Sequence, residues 1–226
     1  MERYLVELRR QLKAEWGGSL VKVASIRIPY AKEYLGKLSK KGEIERVYWG
    51  WYWVPSKLSD AQEFLRRDKN FKVLANQTAA SFWNHDFVHR DTLIVKVNEK
   101  SYGKALENFA KKRGWSIQAI YTDKKLSYVS LTGLRIETME QSIINCLKSY
   151  AFEDAFAAIR VNRHKIKINE IGRRHYWELL PHTKVRIGSI LAYSWARMSG
   201  GHARRIGDDF VRRTVDDALT RVISVG

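Results

Sequence analysis

The sequence predicts a mixed α/β (α+β) fold. Its 226 residues are 45 % hydrophobic, which is enough for a globular core. Apolar residues recur at helical spacing near the N-terminus, where Leu5, Leu8 and Leu12 share one face. Further along, the strand-like segment DTLIVKV at 91–97 precedes a helical pattern at 104–113. Helices and strands therefore alternate along one chain.

The N-terminal part predicts a winged helix-turn-helix. A helix at 3–15 and a short segment precede a helix that opens on Pro29, and residues 43–54 predict a β-hairpin turning at Trp49-Gly50. Helix, short helix, helix and hairpin is the order of elements in a winged helix-turn-helix. We therefore predict that residues 1–56 form a DNA-binding domain of this type.

Residues 57–200 predict an α/β domain whose C-terminal part is helical. Thr138 begins a capping box with Gln141, ahead of the helical segment SIINCLKSY. Residues 201–226 predict a separate basic amphipathic helix. The domain is expected to contain strands at 91–97, 115–121 and 127–137, and helices at 104–113, 152–163, 169–179 and 183–198.

The net charge is the strongest signal in the composition. Lys and Arg number 41 against 24 Asp and Glu, for a formal net charge of +17. A field of this sign attracts polyanions, and release of counterions from phosphates supplies affinity that is independent of sequence. The basic residues are spread over several elements, which disfavours a membrane-surface helix. A ribosome-like or merely solubilising surface is the alternative interpretation.

The same sequence predicts a cytoplasmic protein without cofactors. No segment approaches the roughly 18 apolar residues of a membrane span, and the charged N-terminus lacks the apolar stretch of a signal peptide. A lone Cys146 excludes an intramolecular disulfide and fits a reducing compartment.

Candidate DNA contacts lie on the helix before the hairpin and on the hairpin itself. Leu35 and Leu38 are expected to pack this helix onto the first one, which directs Lys32, Glu33 and Lys37 outward. Lysines meet phosphates or guanine edges, and aromatic or basic residues of the wing meet the backbone. The predicted DNA-binding residues are Arg27, Tyr30, Lys32, Glu33, Tyr34, Lys37, Lys40, Lys41, Arg46, Trp49 and Trp51.

The hairpin sequence VYWGWYWV at 47–54 poses a problem of burial. Strand alternation puts Tyr52 and Val54 on one face, expected to be the core face, and Trp51 and Trp53 on the other. Exposed tryptophans on a small wing need a cover, which DNA, the second domain or a dimer partner can supply. We expect the second domain or a dimer to cover Trp53, and DNA to contact Trp49 at the tip.

The stretch YLGKLSKKGEIERVYWGWYWVP resembles the winged-helix domains that open AbiEi-type antitoxins, from type IV (abortive-infection) toxin–antitoxin pairs. The segments LTGLRIETMEQSIINCLKSY, FEDAFAAIR and KVRIGSILAYSWARM are similar to the second domain of that family. The similarity extends loosely over residues 1–198. The first stretch matches through Leu35, Leu38, Gly42, Ile44, Val47, Gly50, Tyr52 and Pro55.

This resemblance implies a transcriptional autorepressor that binds its own operator in double-stranded DNA. It also implies a nucleotidyltransferase toxin as functional partner, neutralised without a need for direct contact. The final basic helix has no counterpart in the family pattern. A homodimer, and a stand-alone repressor without a toxin, stay open as alternatives.

An enzyme with a winged-helix specificity domain is the competing prediction. Asp91 and Lys96 form a faint metal-nuclease pattern without a second carboxylate, and His85 and His89 lack further ligands. Cys146 lies on an apolar helical face, where a buried structural thiol is expected. We therefore predict no catalytic residue and no metal. A module that binds RNA or the ribosome is a third interpretation of the charge.

Overall fold

The computed structural model describes residues 2–85, 91–149, 151–162 and 165–166. The helices predicted at 169–179, 183–198 and 201–226 lie outside these described residues. Within them, helices and mixed sheets confirm the α/β class. No helix in this part of the chain is long and apolar enough to cross a membrane.

The described elements follow the predicted alternation closely. Thr138 caps α6 as predicted, because the backbone N–H of Gln141 donates to Thr138 Oγ1 over 3.3 Å. The Gln141 side chain, which the capping box would direct back to Thr138, donates instead to Asn145 Oδ1 over 3.2 Å. In chain order the elements are α1 (Glu2–Trp16), β1 (Leu20–Lys22), a 3-10 helix (Val23–Ser25), α2 (Ala31–Lys40), β2 (Glu45–Tyr48), β3 (Trp51–Trp53), α3 (Ala61–Arg67), β4 (Val73–Leu74), α4 (Asn76–Trp83), β5 (Thr92–Val97), α5 (Lys100–Lys112), β6 (Ser116–Tyr121), β7 (Tyr128–Leu131), β8 (Leu134–Glu137), α6 (Met139–Lys148) and α7 (Phe152–Val161).

The chain divides into two compact units that interleave in sequence. The first consists of Met1–Ala75 with Arg90–Glu137, and the second of Asn76–His89 with Thr138–Gly226. This division does not coincide with the boundary predicted after residue 56, because the first unit continues past that residue through α3 and then takes up β5 to β8.

The first unit begins with α1, α2 and a three-stranded antiparallel sheet in the order β1-β3-β2. Where the sequence predicted a short helix, the chain forms β1 and then a single 3-10 turn. Helix α2 begins at Ala31, two residues after Pro29, because Tyr30 adopts a left-handed conformation with φ of 59°. The core of this part is formed by Leu8, Leu12, Val21, Ile26, Ala31, Tyr34, Leu35, Leu38, Ile44, Tyr52 and Val54.

Strand β3 is buried on both of its faces. Tyr52 and Val54 belong to the core between α1 and α2, as predicted. Trp51 and Trp53 point the other way, where they pack against the aromatic side chains of α5. The Trp53 ring lies 4.6 Å from that of Phe109 and 5.9 Å from that of Phe64. The cover that the outer tryptophans require therefore comes from the chain itself, within the first unit.

The second layer of the first unit is a five-stranded mixed sheet in the order β6-β5-β4-β8-β7. The parallel strands β5 and β6 are joined by α5, which makes a βαβ unit. Gly103 favours the close packing of α5 on these strands, since a Cβ there would lie 3.2 Å from the Ala119 Cβ and would push it aside by a few tenths of an ångström. Helix α5 thus lies between this sheet and the N-terminal hairpin.

A buried carboxylate links β1 to the segment that leads into the sheet. Asp68 Oδ2 accepts from the backbone N–H of Leu20 over 3.0 Å, and Oδ1 accepts from the N–H of Asn70 over 2.7 Å. The Tyr102 hydroxyl lies near the same carboxylate, although it makes no hydrogen bond of good geometry. Burial raises the pKa of Asp68, against the opposing effect of these hydrogen bonds.

The described part of the second unit is a helical layer formed by α4, α6 and α7. Small residues such as Ala79, Ala80 and Ala158 are fully buried, which lets the helix axes approach closely. The side chain of Asn162 closes the layer by donating to the carbonyl oxygen of Trp83 over 2.6 Å. Cys146 is buried in α6, as predicted for a structural thiol.

Replacing Trp53 by alanine is expected to lower the free energy of unfolding by about 3–5 kcal/mol, because a cavity opens between Phe64 and Phe109. The matched control is Trp49→Ala on the same hairpin, where the exposed ring predicts a change within about 0.5 kcal/mol. Denaturant unfolding measures both values. Equal losses at the two positions would contradict the burial described for Trp53.

Asp68→Asn is expected to change the pH dependence of stability. Because the folded state raises the pKa of Asp68, the native protein binds this proton more tightly than the unfolded chain does. The wild-type free energy of unfolding should therefore fall, relative to that of the variant, as the pH rises from about 4 through the raised pKa. Parallel pH profiles of the two proteins would show that Asp68 does not titrate in this way.

Candidate nucleic-acid interface

Helix α2 separates its residues sharply into a buried and an exposed side. Ala31, Tyr34, Leu35 and Leu38 recur at intervals of three and four and face the core. The remaining side carries one glutamate and four lysines in and just after the helix. We call this surface the α2 outer face; its exposed members are Lys32, Glu33, Lys37, Lys40 and Lys41.

The start of α2 is an exposed, strained turn. Tyr30 has a left-handed backbone, which costs a non-glycine residue about 1–2 kcal/mol, and 70 % of its surface is exposed. The exposed Arg27 precedes it, beside a groove of about 620 Å³ between α1 and this turn. The groove is lined by both signs of charge, including Glu7, Glu15 and Arg27. Strain of this kind is found at binding sites that hold a side chain in a fixed direction.

The β2–β3 hairpin projects one basic and one aromatic side chain. The guanidinium of Arg46 lies 5.1 Å from the centroid of the Trp49 ring, in cation–π range. Trp49 is 79 % exposed, and Gly50 takes the positive φ of 72° that the turn requires. We refer to Arg46, Trp49 and Gly50 as the hairpin tip. The stacking restricts Arg46 and leaves its hydrogen-bond donors accessible.

Nearby acidic side chains are occupied by basic residues from other elements. Glu43 receives two hydrogen bonds from Arg9, over 2.7 and 2.5 Å, and this pairing lowers the pKa of Glu43. Glu45 Oε1 lies 2.8 Å from Lys112 Nζ. Among the described residues, no ion pair involves Lys32, Lys37 or Lys40. The α2 outer face therefore keeps its positive charge.

Helix α5 packs against the face of the hairpin that carries Trp51 and Trp53 and supports it there. Asn108 Nδ2 donates to the carbonyl oxygen of Val47 over 3.5 Å, and Trp51 Nε1 donates to Ser101 Oγ over 3.0 Å. Arg113 adds a 3.3 Å contact to Glu45. These contacts hold β2 and β3 along the length of α5, so the hairpin is a fixed part of the unit rather than a free arm.

The structure places nine of the eleven predicted contact residues at the surface. It differs from the prediction for Tyr34, which lies in the core of the first unit, with Lys37 Nζ 5.5 Å above its ring. It differs also for Trp51, which is 2 % exposed and packs on Tyr102. Neither ring can reach DNA in this arrangement. The exposed nine are Arg27, Tyr30, Lys32, Glu33, Lys37, Lys40, Lys41, Arg46 and Trp49.

Sequence reasoning also missed residues that position the hairpin. Lys112 and Arg113 lie 67 and 68 positions from their partner Glu45, and no local pattern reveals pairs at such a distance. Tyr34 lies three residues after Ala31 and four before Leu38, so the helical period that buries those two residues also predicts the burial of Tyr34.

The faint nuclease pattern does not converge in space. Asp91 precedes β5 and Lys96 lies five residues along, a separation of about 16 Å in an extended strand. Lys96 Nζ instead contacts Glu137 Oε1 at 2.5 Å, in a largely buried pair. Within the described residues, no group of three or more His, Cys, Asp or Glu side chains could hold a metal ion. The lack of enzymatic activity stays a prediction.

Comparison with protein-family models and with curated proteins found no match for this chain. The similarity to AbiEi-type antitoxins therefore remains a prediction that rests on the motifs in the sequence.

Proposed function

We propose that this protein binds double-stranded DNA through the α2 outer face and the hairpin tip, as a sequence-specific transcriptional repressor. One observation carries the proposal. Four lysines are exposed on one side of α2, and among the described residues those within the helix form no ion pair. They lie next to a rigidly supported hairpin in which Arg46 stacks on the ring of Trp49.

The dimensions of α2 suit the major groove of B-DNA. Its 10 residues span about 15 Å, and the groove is about 12 Å wide, which admits one helix. Lys32 and Glu33 in the first turn and Lys37 in the next are positioned to face base edges. Lysine donates to guanine, and glutamate accepts from the amino group of cytosine, so these side chains supply sequence discrimination.

The surrounding residues suit contacts with the sugar-phosphate backbone. Lys40 and Lys41 at the end of α2 and Arg27 before its start flank the proposed base contacts on either side. The hairpin tip offers a guanidinium that donates to phosphate or enters the adjacent minor groove. Helix, strand, 3-10 turn, helix and hairpin, with sheet order β1-β3-β2, agree with the winged helix-turn-helix interpretation.

Repression of its own promoter follows from the resemblance in the sequence and extends this proposal. A repressor of this kind excludes polymerase by occupying the operator, and a cytoplasmic location is part of the same proposal. By the same resemblance, the protein is the antitoxin of a nucleotidyltransferase toxin. That part of the proposal rests on the quoted motifs alone.

Lys37→Ala combined with Lys41→Ala is expected to weaken binding to a duplex from the region upstream of the protein's own gene. Loss of the Lys41 phosphate contact makes the slope of log K against log salt concentration shallower by about 0.9, and loss of the Lys37 base contact lowers the affinity further. Gel-shift titrations at several salt concentrations measure affinity and slope. The charge-matched control is Lys57→Ala with Lys165→Ala, two exposed lysines outside the α2 outer face. An equal loss of affinity for both pairs of substitutions would show that binding depends only on the net charge of the protein.

The antitoxin role is tested by co-expression with the nucleotidyltransferase encoded beside it, if the gene has such a neighbour. Growth should be restored by the wild-type protein. It should also be restored by the Lys37→Ala, Lys41→Ala variant expressed from an unrelated promoter, because neutralisation does not require operator binding. Continued toxicity with the wild-type protein present would reject the antitoxin role and leave a plain repressor.

A further inference from the structure

We propose that duplex DNA held by α2 and the hairpin tip also contacts a second basic surface, at the corner where β5, β6 and α5 meet. This corner consists of Lys100, Lys104, Tyr121, Lys124 and Lys125. Its ligand is the phosphate backbone that flanks the primary site. The inference rests on the proposed DNA binding and extends the contacts that it requires.

The corner is built by the parallel βαβ arrangement. Val97 and Tyr121, the last residues of β5 and β6, are paired in register. The backbone N–H of Thr122 donates to the carbonyl oxygen of Val97 over 2.8 Å and continues that pairing. Helix α5 starts three residues after Val97, so both strand ends and the helix start share one edge of the sheet. Edges formed by the carboxyl ends of parallel strands are common ligand sites.

The basic side chains of the corner are exposed, and one of them is held in place. Lys100 Nζ lies 5.2 Å from the centroid of the Tyr121 ring, which is 47 % exposed. Lys104 follows one helical turn after Lys100 and is exposed as well. Lys124 and Lys125 are exposed in the loop that leaves β6. Helix, strand and loop thus direct positive charge to one place.

The acidic neighbours do not cancel this charge. Glu99 Oε1 contacts Lys22 Nζ and accepts a hydrogen bond from Ser101 Oγ, each over 2.5 Å. This carboxylate is therefore paired with Lys22, which is not one of the lysines of the corner. Glu107 Oε1 accepts from the backbone N–H of Ala119 over 2.9 Å. The exposed Asp123 is a single carboxylate in a corner that contains four exposed lysines. The corner therefore keeps a net positive charge without an internal counter-ion to match it.

The corner lies at the same end of the unit as the hairpin tip. Lys112 contacts Glu45 at the start of β2, and Ser101 contacts Trp51 directly after the tip. Helix α5 therefore runs antiparallel to β2, and its first turn is next to the tip. The carbonyl oxygen of Gly50 also accepts from Val23, whose neighbour Lys22 contacts Glu99. A duplex that touches the tip passes beside Lys100.

Phosphate is favoured over the other ligands that a basic and aromatic surface attracts. Proteins that bind single strands stack bases on exposed aromatic faces. Here Lys100 covers one face of the Tyr121 ring, so the ring fixes a cation and leaves less area for a base. A restrained cation loses less conformational freedom when it meets a phosphate oxygen, and lysine suits phosphate as a point charge.

The test replaces Lys100 and Lys124 by glutamine in the full chain. The probe is a duplex of roughly four helical turns, taken from the region upstream of the protein's own gene, compared with a trimmed duplex that keeps only the central protected region. On the long duplex the slope of log K against log salt concentration should fall by about 1.8. On the trimmed duplex it should equal that of the wild type. Lys57→Gln with Lys165→Gln is the charge-matched control.

Hydroxyl-radical footprinting supplies the second measurement. Wild-type protein should protect a backbone segment beside the central footprint, and Lys100→Gln with Lys124→Gln should lose this segment alone. Unchanged slope and footprint in that variant would overturn the inference. If Lys37→Ala with Lys41→Ala still weakens binding in the same experiment, the proposed DNA binding survives. Failure of the wild-type protein to bind any duplex would overturn both.

Discussion

The packing of Trp51 and Trp53 on α5 is the interaction on which the first unit depends. Strand β3 is the central strand of a small three-stranded sheet, and its three residues are buried on both faces of that sheet. Each buried aromatic side chain removes about 150–250 Å² from water, an upper limit of roughly 4–6 kcal/mol at 25 cal/mol per Å². The exposed ion pairs nearby contribute at most about 1 kcal/mol each. The rings, and not the charges, join the hairpin to the sheet.

The flanking ion pairs have a different consequence, because they decide which charges remain exposed. Lys112 at the end of α5 and Arg113 just after it pair with Glu45, and Arg9 of α1 pairs with Glu43. Glu43 and Glu45, which flank the end of α2 and the start of the hairpin, therefore already have basic partners from other elements. The lysines of α2 then lack those internal partners and present their charge outward. The few carboxylates near the hairpin thus pair with basic residues of other elements, and the lysines of α2 remain exposed.

Local elements could be predicted from the sequence because their signals are local. Helical spacing located α1, and Thr138 marked the start of α6 through a cap that the structure contains. Strand alternation assigned Tyr52 correctly to the core. The burial of Trp51 escaped prediction because it depends on contacts remote in sequence, such as the hydrogen bond to Ser101. The left-handed backbone of Tyr30 escaped it as well. Of the eleven candidate contact residues, nine are exposed, and the rings of Tyr34 and Trp51 are buried.

The interleaving of the two units bears on how such a protein can evolve. The chain leaves the first unit at Ala75, forms part of the second, and returns at Arg90. A gene segment ending near residue 56 would encode the hairpin without α5, and so with two large rings facing solvent. Recombination at that point would separate the hairpin from the helix that covers its tryptophans, which does not happen between domains that follow one another in sequence. The hairpin and the five-stranded sheet must therefore be inherited together.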